Sequence, residues 1–410
     1  MVCGYFPDPI SAAMSDRKSL WTPELRATAY YFTALMTSGA ATAYGGIWFQ
    51  AQGLSANEIG LIGSVPVFIM LVLNLVVGRV ADKAEDWRQV IVLGAALGGV
   101  IPIALFFVHG FLGILLVWTL AALPMAAIGP VADAAALRMT NRNGTDFGFI
   151  RAFGTVGYMV ATVATGQIVT SFGGWIFLPL FVGLALFRSA VALQLPRFRA
   201  PKEAATLARP MVASRMREVM KPWFLLPLVG WSMVFATHLV LNSFQALLWK
   251  QQGLPDLAIA LLIALGAASE ATMMFVFKRF VGRFPARMVM LASAVISVLR
   301  WIAFGLSPDI ALLVPLQLLH SLTFAMGYLG CVHFIANWTG EEIAAEAQSF
   351  FQVLQQVMAV IAVTAFGWLA GPFGVHAYFA SAAFAAAGAV LIFVSMRLMA
   401  PKLHGVDVHA

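Results

Sequence analysis

Residues 147–158 read FGFIRAFGTVGY and begin a long hydrophobic segment. In it Arg151 is the only charge, and the next charged residue along the chain is Arg188. Glycines and Tyr158 follow Arg151 within two helical turns, which is typical of a membrane helix that lines a cavity instead of facing lipid. Asp133, in the preceding hydrophobic segment, is the predicted partner of Arg151. The pair predicts substrate contact, and the alternative is a structural salt bridge that closes one end of the molecule.

The rest of the chain has the composition of a membrane protein. Of its 410 residues, 61% are hydrophobic and 10% are charged, and its mean hydropathy is +0.88, whereas soluble domains carry about a quarter charged residues. The apolar runs are continuous and about 20 residues long, so they predict membrane-spanning helices instead of the alternating strands of a barrel. The two cysteines, Cys3 and Cys331, suggest no disulfide framework.

The basic residues lie on alternate loops of the chain. They precede the first apolar segment, follow the second, fourth and eighth, and fill the centre and the end, whereas the opposite loops carry little besides Lys250. This positive-inside pattern predicts that both termini are cytoplasmic. The net charge of +7 therefore reflects membrane topology, and no nucleic-acid partner is expected. The first 26 residues lack the apolar core of a signal peptide.

The apolar segments predict an all-α membrane protein with twelve transmembrane helices in two pseudo-symmetric six-helix bundles. The predicted spans are 27–49, 57–78, 89–109, 111–137, 149–171, 174–195, 222–249, 256–277, 286–306, 309–335, 349–370 and 375–398. The predicted domains are an N-terminal cytoplasmic tail 1–26, a first bundle 27–195, a cytoplasmic linker 196–221, a second bundle 222–398 and a C-terminal cytoplasmic tail 399–410.

The two halves repeat each other. Residues 49–54 (FQAQGL) recur as residues 249–254 (WKQQGL), and the Phe-Gly pair at 172–173 recurs at 373–374, so the offset is 200 or 201 residues. Two parallel six-helix repeats, with a substrate site between them near the membrane midplane, are the architecture of the major facilitator superfamily.

One loop resembles a gate motif of that superfamily, Gly-x-x-x-Asp-Arg/Lys with further basic residues. It reads GRVADK at residues 78–83 and is followed by Arg88. The resemblance implies a cytoplasmic gate formed by Gly78, Asp82, Lys83 and Arg88, in which the Asp pairs across the seam between the halves in the outward-open state. The alternative is a solvated polar turn.

A second group of polar residues lies deep in the C-terminal half. Glu270, Arg300 and His320 fall in predicted spans eight, nine and ten, and ionisable residues at such depth are rare unless they are paired or functional. Glu and His beside an Arg can exchange protons near neutral pH, which predicts a proton relay. The alternative is a static buried triad. His238 in span seven is a candidate cavity-lining residue.

The residues just described resemble the phenylpropionate permease family of the superfamily, relatives of lactose permease. The matching blocks are residues 130–133, 151–158, 269–270, 298–301 and 318–320. The resemblance implies a substrate-binding carboxylate at Asp133, an essential arginine at Arg151 and a ring-stacking position at Tyr158. It also assigns Arg300 and His320 to the substrate and proton network.

Two departures from lactose permease concern the proton. The glutamate of span eight lies one turn later here, at Glu270, as in the phenylpropionate permeases, and the proton-carrying glutamate after the histidine is replaced by Thr323. Proton transfer would therefore fall to Glu270, Asp133 or His320.

Taken together, the sequence predicts a proton-coupled symporter of an aromatic monocarboxylate, such as 3-phenylpropionate, in a bacterial inner membrane. Arg151 or Arg300 would hold the carboxylate, and Tyr158 and Trp301 would contact the ring. The predicted substrate-binding residues are Asp133, Arg151, Tyr158, His238, Arg300 and Trp301, and the predicted proton-coupling residues are Glu270, His320 and Asp133.

Other functions remain as alternatives. A symporter of a sugar, nucleoside or siderophore fits the same architecture, and a proton-driven exporter fits it less well because the antiporter motif of span five is missing. A membrane sensor would append a soluble domain. We expect no enzyme, cofactor or metal, because no nucleotide-binding loop, nucleophile motif or metal-ligand cluster is recognisable in the sequence. The expected partners are the solute, protons and the lipid bilayer, and the expected state is a monomer.

Overall fold

The structure, a computed structural model, describes residues 21–83, 86–145, 147–198, 220–281, 283–338 and 341–398. Within those residues every regular element is a helix. The first half contains α1 (Pro23–Ala40), α2 (Gly46–Ala51), α3 (Ala56–Lys83), α4 (Trp87–Val100), α5 (Gly110–Asn143), α6 (Phe147–Phe172) and α7 (Phe177–Ala192). The second half contains α8 (Pro222–Gln251), α9 (Asp256–Phe280), α10 (Ala286–Gly305), α11 (Ile310–Leu318), α12 (Met326–Trp338), α13 (Glu341–Phe373) and α14 (Tyr378–Arg397).

Most of these helices are apolar enough to cross a membrane. In the described part of the chain, nine helical stretches meet the length and hydropathy of a membrane span, one of them the 48-residue stretch Phe350–Arg397 that covers most of α13 and all of α14. The all-helical membrane architecture agrees with the sequence prediction. The number of twelve spans stays a prediction, as do the domain boundaries, because much of the tails 1–26 and 399–410 and of the linker 196–221 lies outside the described residues.

The internal repeat has a structural counterpart where helices end. α2 and α8 are each followed by a glycine with a left-handed backbone, Gly53 with φ 83° and Gly253 with φ 87°. α6 and α13 are followed in the same way by Gly173 with φ 88° and Gly374 with φ 53°. Glycine adopts these angles without steric cost. The residues that the two halves share therefore stop equivalent helices.

Two π-helical turns interrupt the helical rods. Residues Ala41–Gly45 join α1 to α2, and Ser321–Ala325 lie between α11 and α12. A π turn closes its hydrogen bonds over five residues instead of four and occurs frequently at functional sites. Both turns lie beside the cavity described below.

The halves meet at glycines near the helix ends. A Cβ on Gly60 of α3 would lie 3.0 Å from the carbonyl oxygen of Val363 and 3.1 Å from Cα of Gly367, both on α13. On the other side of the molecule, a Cβ on Gly166 of α6 would lie 3.1 Å from the carbonyl oxygen of Asp256, the first residue of α9. Small residues permit this close approach of membrane helices. The seam between the halves is thus closed near the start of α3 and α9.

Candidate functional site

The N-terminal half contributes an acid, a cation and a phenol from three helices. Asp133 of α5 accepts a hydrogen bond from the Tyr31 hydroxyl of α1 at 2.6 Å. Arg151 of α6 has its Nε 3.9 Å from Oδ1 of Asp133, and the two side chains are 48% and 46% exposed. An ion pair this long and this exposed contributes little stability. Among the described residues Arg151 donates no hydrogen bond to a protein group, so its guanidinium can bind another anion.

Tyr158 lies two turns after Arg151 on α6. Its hydroxyl is beside Thr42 of the π turn Ala41–Gly45, and the residue is partly exposed. The Glu270 carboxylate of the other half interacts with it electrostatically. Tyr158 therefore faces the seam between the halves.

A buried guanidinium organises the C-terminal half. Arg300 of α10 has no exposed surface, and it donates to Oε1 of Gln317 at 2.6 Å and to Oγ1 of Thr323 at 2.9 Å. Its Nη1 lies 3.2 Å from Nδ1 of His320, and the ring of Trp301 covers it at 5.0 Å. Neutral groups thus surround Arg300, and it has no open face for a solute.

The contacts of His320 fix where its proton sits. A guanidinium N–H can only donate, so Nδ1 of His320 accepts from Arg300 and the ring proton is on Nε2. Oε2 of Glu270 on α9 is 3.4 Å from this Nε2. A second proton on His320 would lie on Nδ1, where its N–H would point at an N–H of Arg300. His320 is therefore neutral in this arrangement, and Glu270 is the acidic group beside it.

His238 of α8 joins the same network from the opposite side. Its Nδ1 lies 3.0 Å from the carbonyl oxygen of Val234 and therefore carries the ring proton. Its Nε2 accepts from the hydroxyl of Thr323, with 3.0 Å between Nε2 and Oγ1. His238 has no exposed surface. It connects α8 to the π turn Ser321–Ala325, and the structure does not place it on the cavity surface.

The two groups of charged residues face each other across the seam. Arg151 of the first half acts electrostatically on Glu270 and on Tyr328 of the second half. The side chain of Glu270 is 27% exposed and that of His320 11%, so Glu270 is open to the space between the halves. We call the space between the halves the cavity; it presents an exposed cation from one half and a partly exposed carboxylate from the other.

Trp301 is placed away from this cavity. It is fully buried, and its Nε1 donates to Oγ1 of Thr237 at 2.9 Å. Its ring lies behind Arg300 and packs against Tyr378, with 6.0 Å between the ring centroids. In this arrangement Trp301 exposes no ring surface to a solute, and its contact with the substrate stays a prediction.

The predicted gate is described in full only at Arg88, because Gly78, Asp82 and Lys83 are described by their backbone alone, as part of α3. Arg88 donates through Nε to the carbonyl of Leu195 and through Nη2 to that of Leu193, both at 2.6 Å. These carbonyls follow the end of α7, where a cation complements the helix dipole. Arg88 thus binds within its own half in this structure.

Sequence reasoning missed two features of the site. Tyr31, the partner of Asp133, was signalled only by a pair of adjacent tyrosines in an apolar segment. Thr323 was noted only as the replacement for a glutamate, whereas its hydroxyl links Arg300 to His238.

Comparison with known proteins identifies transporters. The model of the MFS_1 like family matches residues 25–386. The chain is 26% identical over 332 residues to the probable 3-phenylpropionic acid transporter of Escherichia coli (strain K12), covering 76% of this chain and 82% of that protein. It is 26% identical over 302 residues to the maltose permease of Geobacillus stearothermophilus, covering 73% of each.

Solved structures share the fold. The crystal structure of the nucleoside transporter NupG aligns with a TM-score of 0.75 at 18% identity and covers 92% of this chain and 98% of that chain. The D-xylose-proton symporter aligns with a TM-score of 0.68 at 13% identity and covers 91% and 96%. Likeness at these identities shows the arrangement of helices alone.

Proposed function

The chain belongs to the MFS_1 like family, and we propose that it is a proton-coupled symporter of an aromatic monocarboxylate such as 3-phenylpropionate. Its relatives and its fold are those of major facilitator transporters, which are not enzymes, so it is a multi-pass membrane transporter of small molecules. Its cargo, an aromatic monocarboxylate, and its coupling ion, the proton, are our proposal. Similarity to the probable 3-phenylpropionic acid transporter supports the cargo.

The observation that carries the proposal is the half-exposed guanidinium of Arg151, which donates no hydrogen bond to any of the residues that the structure describes. A planar guanidinium binds a carboxylate through two parallel hydrogen bonds, and Arg151 has only the loose contact with Asp133 to give up. Arg300 is the less suitable of the two arginines, because it is buried and already donates to Gln317 and Thr323.

Glu270 is the proposed proton carrier. It is open to the cavity, and its protein contact is the Nε2 of His320, which Arg300 holds in the neutral form. The other ionisable groups around it are Arg151 and Tyr158 of α6. An anion bound to Arg151 offsets the positive charge that acts on Glu270, so Glu270 then accepts a proton more readily. Binding of the anion and of the proton would thereby favour each other.

The proposed topology has twelve spans. Each rod that contains a π turn counts as one span, so α1 with α2 and α11 with α12 form two spans, and the ten remaining helices supply the others. With the basic loops in the cytoplasm, the starts of α3 and α9 are periplasmic. The contact of Gly60 with Gly367 would then close the periplasmic side, and the cavity would open inward. Rocking of the halves would expose it alternately.

The test measures the external pH of lightly buffered, de-energised cells on addition of 3-phenylpropionate. We expect alkalinisation above the empty-vector control, because each anion enters with a proton. Glu270→Gln should abolish it. Arg151→Lys should weaken the apparent affinity roughly tenfold to a hundredfold, since a point charge replaces two charged hydrogen bonds. Thr272→Val, at an exposed position two residues after Glu270 and about 200° around α9 from it, is the matched control and should behave as the unaltered protein.

Two outcomes would contradict the proposal. Alkalinisation on addition of maltose or a nucleoside, with none for the acid, would replace the cargo. Undiminished alkalinisation by Glu270→Gln would remove Glu270 as the proton carrier.

A further inference from the structure

A stripe of aromatic rings runs along the π turn Ser321–Ala325 and the start of α12. The rings of His320 and Phe324 lie with their planes 16° apart and their centroids 5.3 Å apart. Those of Phe324 and Tyr328 are 7° and 6.4 Å apart. Phe235 of α8 packs beside Phe324 at 5.6 Å. We call Phe235, Phe324 and Tyr328 the ring stripe.

The ring stripe faces the space between the halves. At one end it adjoins His320, which contacts Glu270, and at the other end Tyr328 is within electrostatic reach of Arg151 from the opposite half. All three of its residues are partly exposed. Both ends of the stripe thus adjoin groups that lie at the seam between the halves. The exposed part of the stripe therefore opens into the cavity that holds Arg151 and Glu270.

The other aromatic candidates are placed less favourably for a ring next to Arg151. Trp301 is fully buried behind Arg300. Tyr158 lies on α6 with Arg151 itself, and its hydroxyl is beside Thr42. The ring stripe, by contrast, lies on the opposite wall from Arg151, so a solute held by the guanidinium would extend toward it.

We propose that the ring stripe is the subsite for the planar ring of the substrate, and that the hydroxyl of Tyr328 donates to the same carboxylate that Arg151 binds. This inference rests on the proposed function and specifies which class of monocarboxylate the site prefers. The carboxylate lies between Arg151 and Tyr328. The ring lies along Phe324, on the side of His320 and Glu270.

The chemistry of the stripe favours an aromatic ring over other groups of similar size. Aromatic rings attract each other in offset or edge-to-face arrangements by about 0.5–1.5 kcal/mol beyond the area that they bury, which is roughly a twofold to tenfold change in affinity. A cyclohexyl ring buries a similar area without this attraction. A sugar would bring hydroxyl groups against phenylalanine rings that offer no hydrogen bond, which is costly in a desolvated site.

The experiment compares two acids that differ only in the ring. Binding of 3-phenylpropionate and 3-cyclohexylpropionate to the purified full chain in lipid nanodiscs is measured by titration calorimetry. We expect the unaltered protein to bind the phenyl acid about twofold to tenfold more tightly. Phe324→Leu should bring the ratio of the two affinities close to one. Tyr328→Phe should weaken both acids by a similar factor and leave the ratio unchanged, because it removes a donor to the carboxylate.

The matched control is Phe275→Leu. Phe275 is 80% exposed on α9 and lies about 140° around the helix from Glu270, so it faces away from the cavity. This variant should keep the affinity for both acids. If Phe324→Leu does not fold, Phe324→Tyr and Phe235→Leu replace it; the first should keep the preference for the phenyl acid and the second should reduce it.

The possible failures are distinguishable. Equal binding of both acids by the unaltered protein, or an unchanged ratio in Phe324→Leu, would overturn the ring subsite and leave the carboxylate symporter intact. Loss of the phenyl preference in Phe275→Leu would also overturn it. Binding of neither acid to the unaltered protein would overturn the proposed function itself.

Discussion

Thr323 shows at the scale of one residue why a hydroxyl suits its position. Its oxygen accepts from Arg300 at 2.9 Å and its proton is directed to Nε2 of His238 at 3.0 Å. A hydroxyl can do both at once, whereas an ionised carboxylate can only accept. A glutamate here, as the resemblance to lactose permease would have it, could not satisfy His238 in its present tautomer. The departure at Thr323 therefore fits the assignment of the proton to Glu270.

Thr323→Val tests this bridging role. The substitution keeps the shape but leaves Nη1 of Arg300 and Nε2 of His238 each short of a partner inside the protein. We expect the free energy of unfolding to fall by about 1–3 kcal/mol, the cost of leaving such buried groups unsatisfied. Thermal unfolding of the purified protein in detergent measures it. Thr272→Val, on an exposed surface, should change stability little, and an equal loss in both variants would contradict the role of Thr323.

The sequence predicted which residues would gather but not which way each one points. Charge and depth were enough to predict Asp133 with Arg151, and Arg300 with His320. Trp301 was the exception, because neighbouring residues on a helix point about 100° apart. Ser293, Ser297 and Arg300 share one face of α10 and Trp301 lies off it, a polar stripe that the prediction for Trp301 did not use.

At the scale of the element, helix ends could be predicted and the π turns could not. The repeated glycines Gly53 and Gly253 stop α2 and α8, because their left-handed backbone needs no side chain. The π turns Ala41–Gly45 and Ser321–Ala325 carry no comparable signal. Their residues would suit an α-helix as well, and only the packing around them selects the wider turn.

The contact of α3 with α13 supports a prediction about conformation. In Gly60→Ala the new Cβ would press on the α13 backbone at 3.0 Å and 3.1 Å. This contact would lower the stability of the closed seam relative to a state in which α3 and α13 separate. Spin labels at Ala51 and Gln251, exposed ends of α2 and α8, should report a larger population of long distances.

Gly129→Ala is the matched control for Gly60→Ala. Gly129 lies inside α5, and a Cβ there would meet nothing within 4 Å. Its distance distribution should equal that of the unaltered protein. An unchanged distribution in Gly60→Ala would show that α13 yields locally and that this contact does not set the balance between states.

At the scale of the whole molecule, the two halves can be joined experimentally at one point. Oγ1 of Thr364 on α13 donates to Oγ of Ser64 on α3 at 2.9 Å. With cysteines at both positions, in a Cys3→Ser background, we expect oxidation to form a disulfide that stops uptake, since the seam can no longer open. Dithiothreitol should restore uptake. The native Cys331 is buried and should not interfere.

Single-cysteine variants at Ser64 and Thr364 are the controls and should transport under both conditions. Full uptake by the oxidised double variant, with the cross-link verified on a gel, would mean that transport does not need this seam to open.

The repeat, the long apolar runs and the alternating basic loops were enough to predict the overall architecture. They did not specify which side of the cavity is closed, because both states use the same helices and the same loops. Which side is closed depends on a few contacts such as that of Gly60 with Gly367. These residues are far apart in the sequence, and no repeating pattern connects them.

The π turn Ser321–Ala325 divides its rod between two parts of the site, with His320 before it and Tyr328 after it. Rewinding a π turn to α geometry transfers one residue into the next turn of the helix. Relative to α11, α12 would then rotate by about 100° and shift by about 1.5 Å along the helix axis. Such a rotation would move Tyr328 away from Arg151 while His320 stayed beside Glu270. With such a rotation the rod would separate the proposed carboxylate donor, Tyr328, from Arg151 and leave the contact of His320 with Glu270 in place.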